Sequence, residues 1–98
     1  MTALQETMKE KTIAAAKTIA IKYAQMTNAD VDYDEIFAYL ERWYNVEFPS
    51  VLAKMNGQLA AGKEKVARKT QEKALLKAGI AALEAAAAKR RNTKETNP

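Results

Sequence analysis

Residues 30–48 read DVDYDEIFAYLERWYNVEF, and they hold six of the chain's seven aromatic residues and half of its twelve acids. Apolar residues recur there at three- and four-residue spacing, which is typical of one face of a helix. Asp32 suits the N-cap of that helix, and Glu35 three residues later fits a capping box. Pro49 suits the first turn of a following helix, where its missing N–H costs nothing. The pattern predicts a helix over residues 32–44 with the apolar face Tyr33, Ile36, Phe37, Leu40, Trp43 and Tyr44.

The segments on either side also favour helices. Residues 2–26 predict a helix that is apolar most of the way round, and such a helix is normally sandwiched between others. Residues 49–91 predict either one long helix or two helices that meet near Gly62. The preferred interpretation is two helices in near continuity, over residues 49–61 and 63–91. No stretch alternates apolar and polar residues as a strand does.

The C-terminal half has few large apolar side chains. Only seven of the chain's 27 apolar residues larger than Ala lie beyond residue 54. We therefore expect helices 1 and 2 to pack on residues 50–61 and the last helix to project. The predicted architecture is all-α, with three to four helices in a single domain over residues 1–91, a long protruding basic C-terminal helix, and a disordered tail over residues 92–98.

Charge is strongly segregated along the chain. Residues 23–53 carry six acids against one arginine, whereas residues 54–98 carry eleven lysines and arginines against four acids. Such polarity suggests two surfaces that face different partners.

Composition argues against most enzyme chemistry. The chain has no Cys and no His, which removes thiolate chemistry, disulfides, the commonest general base and the commonest zinc ligand. The three glycines fit no phosphate-binding loop. The apolar run near the N-terminus is interrupted by Lys17 and is too short to span a bilayer. We expect a cytoplasmic, non-enzymatic protein without cofactor, metal or membrane partner.

One acidic motif resembles part of a calcium loop. Asp30, Asp32, Asp34 and Glu41 occupy the first, third, fifth and twelfth positions of an EF-hand loop. The sixth position, which requires Gly, is Glu35. The preferred interpretation is that these acids lie at the N-terminus of a helix, where the helix dipole favours negative charge.

A helix-turn-helix is a second alternative. Its recognition helix would follow Pro49 and present Ser50, Lys54, Asn56 and Gln58 to bases. The acids around the turn would face phosphate, which argues against this interpretation.

The basic residues of the last helix predict a surface for nucleic acid or for an acidic protein. Lys65, Lys69 and Lys73 recur every four residues, a spacing that suits a phosphate backbone. A merely solvated face is the alternative, and the absence of aromatic residues beyond Phe48 argues against base stacking. The candidate set is Lys63, Lys65, Arg68, Lys69, Lys73, Lys77, Lys89, Arg90 and Arg91.

The aromatic residues predict a core and also a protein-docking surface. Aromatic side chains dominate interface hot spots, and a small helical domain needs them inside as well. The candidates for partner binding are Tyr39, Trp43, Tyr44 and Phe48.

These features together predict a helical interaction protein, a regulator or inhibitor that docks on a protein through residues 30–48. Its basic helix, residues 63–91, would contact nucleic acid or an enzyme that handles nucleic acid. Two alternatives stay open: a DNA- or RNA-binding protein that acts mainly through the basic helix, and a homo-oligomeric coiled coil that pairs heptads over residues 52–87.

Overall fold

The computed structural model describes the backbone of residues 3–96 and the side chains of residues 3 and 6–89. It contains four helices, and no strand occurs within the described backbone. The predicted all-α fold with a long basic C-terminal helix is confirmed. The helices are α1 (Ala3–Met26), α2 (Tyr33–Val46), α3 (Phe48–Ala60) and α4 (Glu64–Thr96).

The α1 helix ends in a left-handed residue. Asn28 has φ 54°, and its N–H donates to the carbonyl of Gln25 while the N–H of Ala29 donates to Ala24 at 2.9 Å. This pair of bonds is the Schellman arrangement, which satisfies carbonyls left free at a helix end. Asn tolerates the left-handed conformation better than most residues with a side chain.

The predicted N-cap of α2 is confirmed. Asp32 Oδ1 accepts a hydrogen bond from the backbone N–H of Asp34 at 2.9 Å. The described hydrogen bonds do not include the reciprocal half of the capping box; Glu35 Oε1 accepts a 2.9 Å bond from Lys89 Nζ. That ion pair ties the start of α2 to the last third of α4.

Gly62 separates α3 from α4 and turns the chain back on itself. Gly62 has φ +76°, and the N–H of Lys63 donates to the carbonyl of Gln58 at 2.9 Å in a second Schellman arrangement. Thr70 Oγ1 then donates to Gln58 Oε1 at 2.9 Å. These two residues would be about 18 Å apart in one continuous helix. The predicted break is therefore confirmed, whereas the predicted near continuity is wrong, and no heptad register runs along one helix over residues 52–87.

The α4 helix is the common packing partner of the other three. It contacts α1, α2 and α3, and α2 also contacts α1 and α3, but α1 and α3 do not touch within the described residues. The expectation that helix 1 packs on residues 50–61 is wrong. Alanines explain the difference, because small side chains let helix backbones approach closely. Among the α4 side chains that the structure describes, to residue 89, the buried residues are Ala67, Ala78, Gly79, Ala82, Leu83 and Ala86.

The α1 helix packs against both α2 and α4, as expected for a helix that is apolar most of the way round. Its most buried face is Ile13, Ala16, Ala20 and Ala24, while Met26 is largely exposed. From α2 and α3, this core receives Ile36, Leu40, Trp43 and Phe48.

The long axis of the molecule follows α4. Its 33 residues extend about 50 Å at 1.5 Å per residue, close to the 56 Å maximum dimension. The backbone is helical to Thr96, beyond the predicted end at residue 91, because no Gly or Pro interrupts residues 80–96. This helix enters the segment predicted to be disordered, residues 92–98, of which residues 97 and 98 lie outside the described residues. Nowhere in the described chain is a helix both long and apolar enough to cross a bilayer.

Candidate interaction surfaces

Three aromatic rings form the corner between α2 and α3. Trp43 and Phe48 meet edge to face with centroids 5.4 Å apart, and Tyr44 stacks on Phe48 at 4.8 Å. Trp43 is 7% exposed and Phe48 is 3% exposed. These two predicted docking residues are therefore core residues in this conformation, and their rings fix the angle between the two helices.

At this corner, the predicted docking surface consists of the residues that cover the buried rings of Trp43 and Phe48. Tyr39 and Tyr44 are half-buried, and Val46 is 76% exposed at the end of α2. A shallow depression of about 210 Å³ is lined by Tyr39, Arg42, Trp43, Val46 and Glu47. Val46 is not among the residues predicted from the sequence, although its place off the apolar stripe of α2 would have indicated exposure.

Two aromatic residues that the sequence places in the core face are more than one-third exposed. They are Tyr33 and Phe37. The Nζ of Lys17 lies 5.1 Å from the centroid of the Phe37 ring, within the range of a cation–π contact. Their place on the helical stripe could not reveal this, because periodicity identifies an apolar face but not how far the neighbouring helices cover it.

A groove of about 720 Å³ runs between α1 and α2 and was not foreseen from the sequence. Lys9 Nζ lies 3.6 Å from Glu41 Oε1 across it. We call this the α1–α2 groove; its lining residues are Glu6, Lys9, Glu10, Ile13, Ala14, Lys17, Phe37 and Glu41.

Six of the predicted basic residues lie in the first half of α4 and in the turn before it. All six are exposed. Among the described side chains, no carboxylate lies within ion-pair distance of any of them, although Glu64 and Glu72 share the helix. We call this set the basic face: Lys63, Lys65, Arg68, Lys69, Lys73 and Lys77.

The remaining basic candidates lie elsewhere. Lys89 forms the 2.9 Å ion pair with Glu35 and is separated from Lys77 by about 18 Å along α4. The side chains of Arg90 and Arg91 lie outside the described residues. The sequence candidates therefore do not form one continuous surface.

The acids of the EF-hand-like motif are distributed along a helix start. Asp32 caps α2, and Glu41 lies two turns further on and pairs with Lys9. Within the described part of the chain, no three His, Cys, Asp or Glu side chains come together in a group that could hold a metal ion.

The geometry of a helix-turn-helix is not reproduced. A single residue, Glu47, separates α2 from α3, and Gln58 of the supposed recognition helix is bonded to Thr70. One side of that helix, α3, packs against α4.

No protein-family model, curated protein or solved structure matches this chain.

Proposed function

We propose that this chain is a non-enzymatic interaction protein of the cytoplasm. It docks on a protein partner through the α2 segment of residues 30–48. Its basic face contacts nucleic acid, or a protein that handles nucleic acid, which it regulates or inhibits. The observation that carries this proposal is the basic face itself, with six exposed cations and no carboxylate partner among the described side chains.

Three lysines outside the basic face have partners within the chain. Lys9 and Lys89 each have a carboxylate partner, and Lys17 lies over an aromatic ring. Each of these three lysines therefore contacts a residue of another helix. The six residues of the basic face are all exposed, so the field of the basic face extends into solvent, where it attracts anionic partners.

The protein-docking role is supported by the corner of α2. Exposed Val46 and half-buried Tyr39 line the same depression, with Arg42 and Glu47 beside them. Aromatic residues supported by a packed layer beneath them are typical of interface hot spots. Here Trp43 and Phe48 supply that layer.

The triple variant K65Q/K69Q/K73Q tests the basic face. Binding to a fluorescent duplex DNA is measured by anisotropy over a series of salt concentrations. We expect weaker binding and a shallower slope of log affinity against log salt, by about 0.9 for each phosphate that the variant no longer binds. The melting temperature is expected to stay nearly unchanged, because exposed charges contribute little to stability.

A matched control removes three exposed lysines from other parts of the molecule. The variant K11Q/K22Q/K54Q has the same net charge as the test variant, and its changed residues lie outside the basic face. Equal losses in both variants would mean that only net charge matters. A triple variant of the basic face with unaltered affinity and salt slope would refute its role in nucleic-acid binding.

A further inference from the structure

The exposed side of α4 is not purely basic. Val66 and Leu76 are 45% and 41% exposed. At about 100° per residue, both fall within the arc of the basic face, with Lys69 and Lys73 between them. Contacts to phosphates need cations and polar groups, not aliphatic side chains. A helix face that combines apolar and basic residues suits an apolar groove with an acidic rim.

The α1–α2 groove of the same chain has that complementary chemistry. Its floor contains Ile13, Ala14 and Phe37, and Phe37 is 40% exposed. Glu6 and Glu10 are exposed on its rim. Among the described side chains, no cation pairs with either of these glutamates.

The charged residues of the two surfaces also have matching spacing. Glu6 and Glu10 are four residues apart on α1, and Lys69 and Lys73 are four residues apart on α4. Each pair therefore spans about 6 Å along its helix axis. Two helices that lie side by side can bring both lysines opposite both glutamates at once.

We propose that the basic face of one copy docks in the α1–α2 groove of a second copy. Lys69 and Lys73 meet Glu6 and Glu10, and the aliphatic side chain on one side of the two lysines, Val66 or Leu76, covers Phe37. The two surfaces are different parts of the chain, so the contact is heterologous and generates a ring or an open chain of copies.

The groove's own cations are compatible with this contact. Lys9 is paired with Glu41 at 3.6 Å, and Lys17 lies over the Phe37 ring. The incoming lysines therefore meet the two glutamates that no described cation pairs with, at the end of the groove where α1 begins.

Self-association would occupy the same lysines that we assign to nucleic acid. A second copy and a duplex would then compete for the basic face, and binding of either would lower the affinity for the other. The association itself requires no nucleic acid, so it can be tested separately from the proposed function.

Light scattering and sedimentation velocity of the full chain, over a series of protein and salt concentrations without nucleic acid, test the inference. At low salt the mass is expected to rise with protein concentration above the 10.9 kDa of one chain. It should fall back as salt screens the ion pairs. A chain that stays monomeric at low salt, or an oligomer that salt does not affect, would overturn the inference.

Charge reversal identifies the surfaces. The variants K69E/K73E and E6K/E10K should each be monomeric alone, because each then opposes like charges. An equal mixture should associate again, since each copy offers the surface that the other has lost.

The control K22E/K54E changes two exposed lysines that lie in neither surface. It should associate as the unmodified chain does. Failure of the mixture to associate, or loss of association in the control, would refute this pairing of surfaces.

Discussion

Replacing Gly79 with Ala is expected to destabilise this protein, although the same change stabilises most helix interiors by about 0.5–1 kcal/mol. A Cβ at Gly79 would lie 2.8 Å from Ile19 Cγ2 and 2.9 Å from the backbone oxygen of Ala16. The Ile19 side chain can rotate, but the Ala16 carbonyl belongs to the backbone of α1. The two helices must therefore move apart where they cross.

The expected loss follows from these two opposing effects. Overpacking a close contact costs about 1–3 kcal/mol, and the gain in helix propensity offsets about 0.5–1 kcal/mol of it. A net loss of about 1 kcal/mol remains, which lowers the melting temperature of a domain of this size by roughly 4–8 °C.

Gly57 provides the matched control. It lies inside α3, and a Cβ there would meet no atom within 4 Å. Gly57→Ala should therefore stabilise by about 0.5–1 kcal/mol, opposite in sign to Gly79→Ala. Urea and thermal unfolding of both variants, followed by circular dichroism, give the two free energies. A Gly79→Ala variant as stable as the unmodified chain would refute the close approach of α1 and α4.

Trp43→Ala should lower the free energy of unfolding by about 3–5 kcal/mol, because the ring is buried against Phe48; a variant that melts normally in calorimetry would contradict this packing. Asp32→Ala should cost about 1 kcal/mol in urea unfolding through loss of the α2 cap, while Asp32→Ser should retain most of that stability. Gly62→Ala should cost about 1 kcal/mol, because φ is +76° there; a Gly62→Asn variant that is no more stable than the Ala variant in the same assay would argue against conformational strain.

The four helices, the cap of α2 and the break at Gly62 could be predicted from the sequence because they depend on local interactions. Asp32 caps α2 through a hydrogen bond to a residue two positions away. Gly62 ends α3 through bonds within one turn. The burial of Ile36, Leu40 and Trp43 follows from their spacing on one face. Identification of the lysines of the basic face as exposed needed only their charge and the scarcity of large apolar residues around them.

The choice of packing partners was decided only by the tertiary structure. Periodicity identifies an apolar face but not the face that it meets, so it could not show that α1 and α3 both pack on α4 and avoid each other. A buried alanine contributes little free energy of transfer, but its small side chain lets two helices cross closely. Such a crossing depends on both helices, not on the sequence of one. The α1–α2 groove, the exposure of Phe37 and the pairing of Lys89 with Glu35 arise in the same way. Each depends on residues far apart in sequence, whose proximity the chain acquires only when its helices pack.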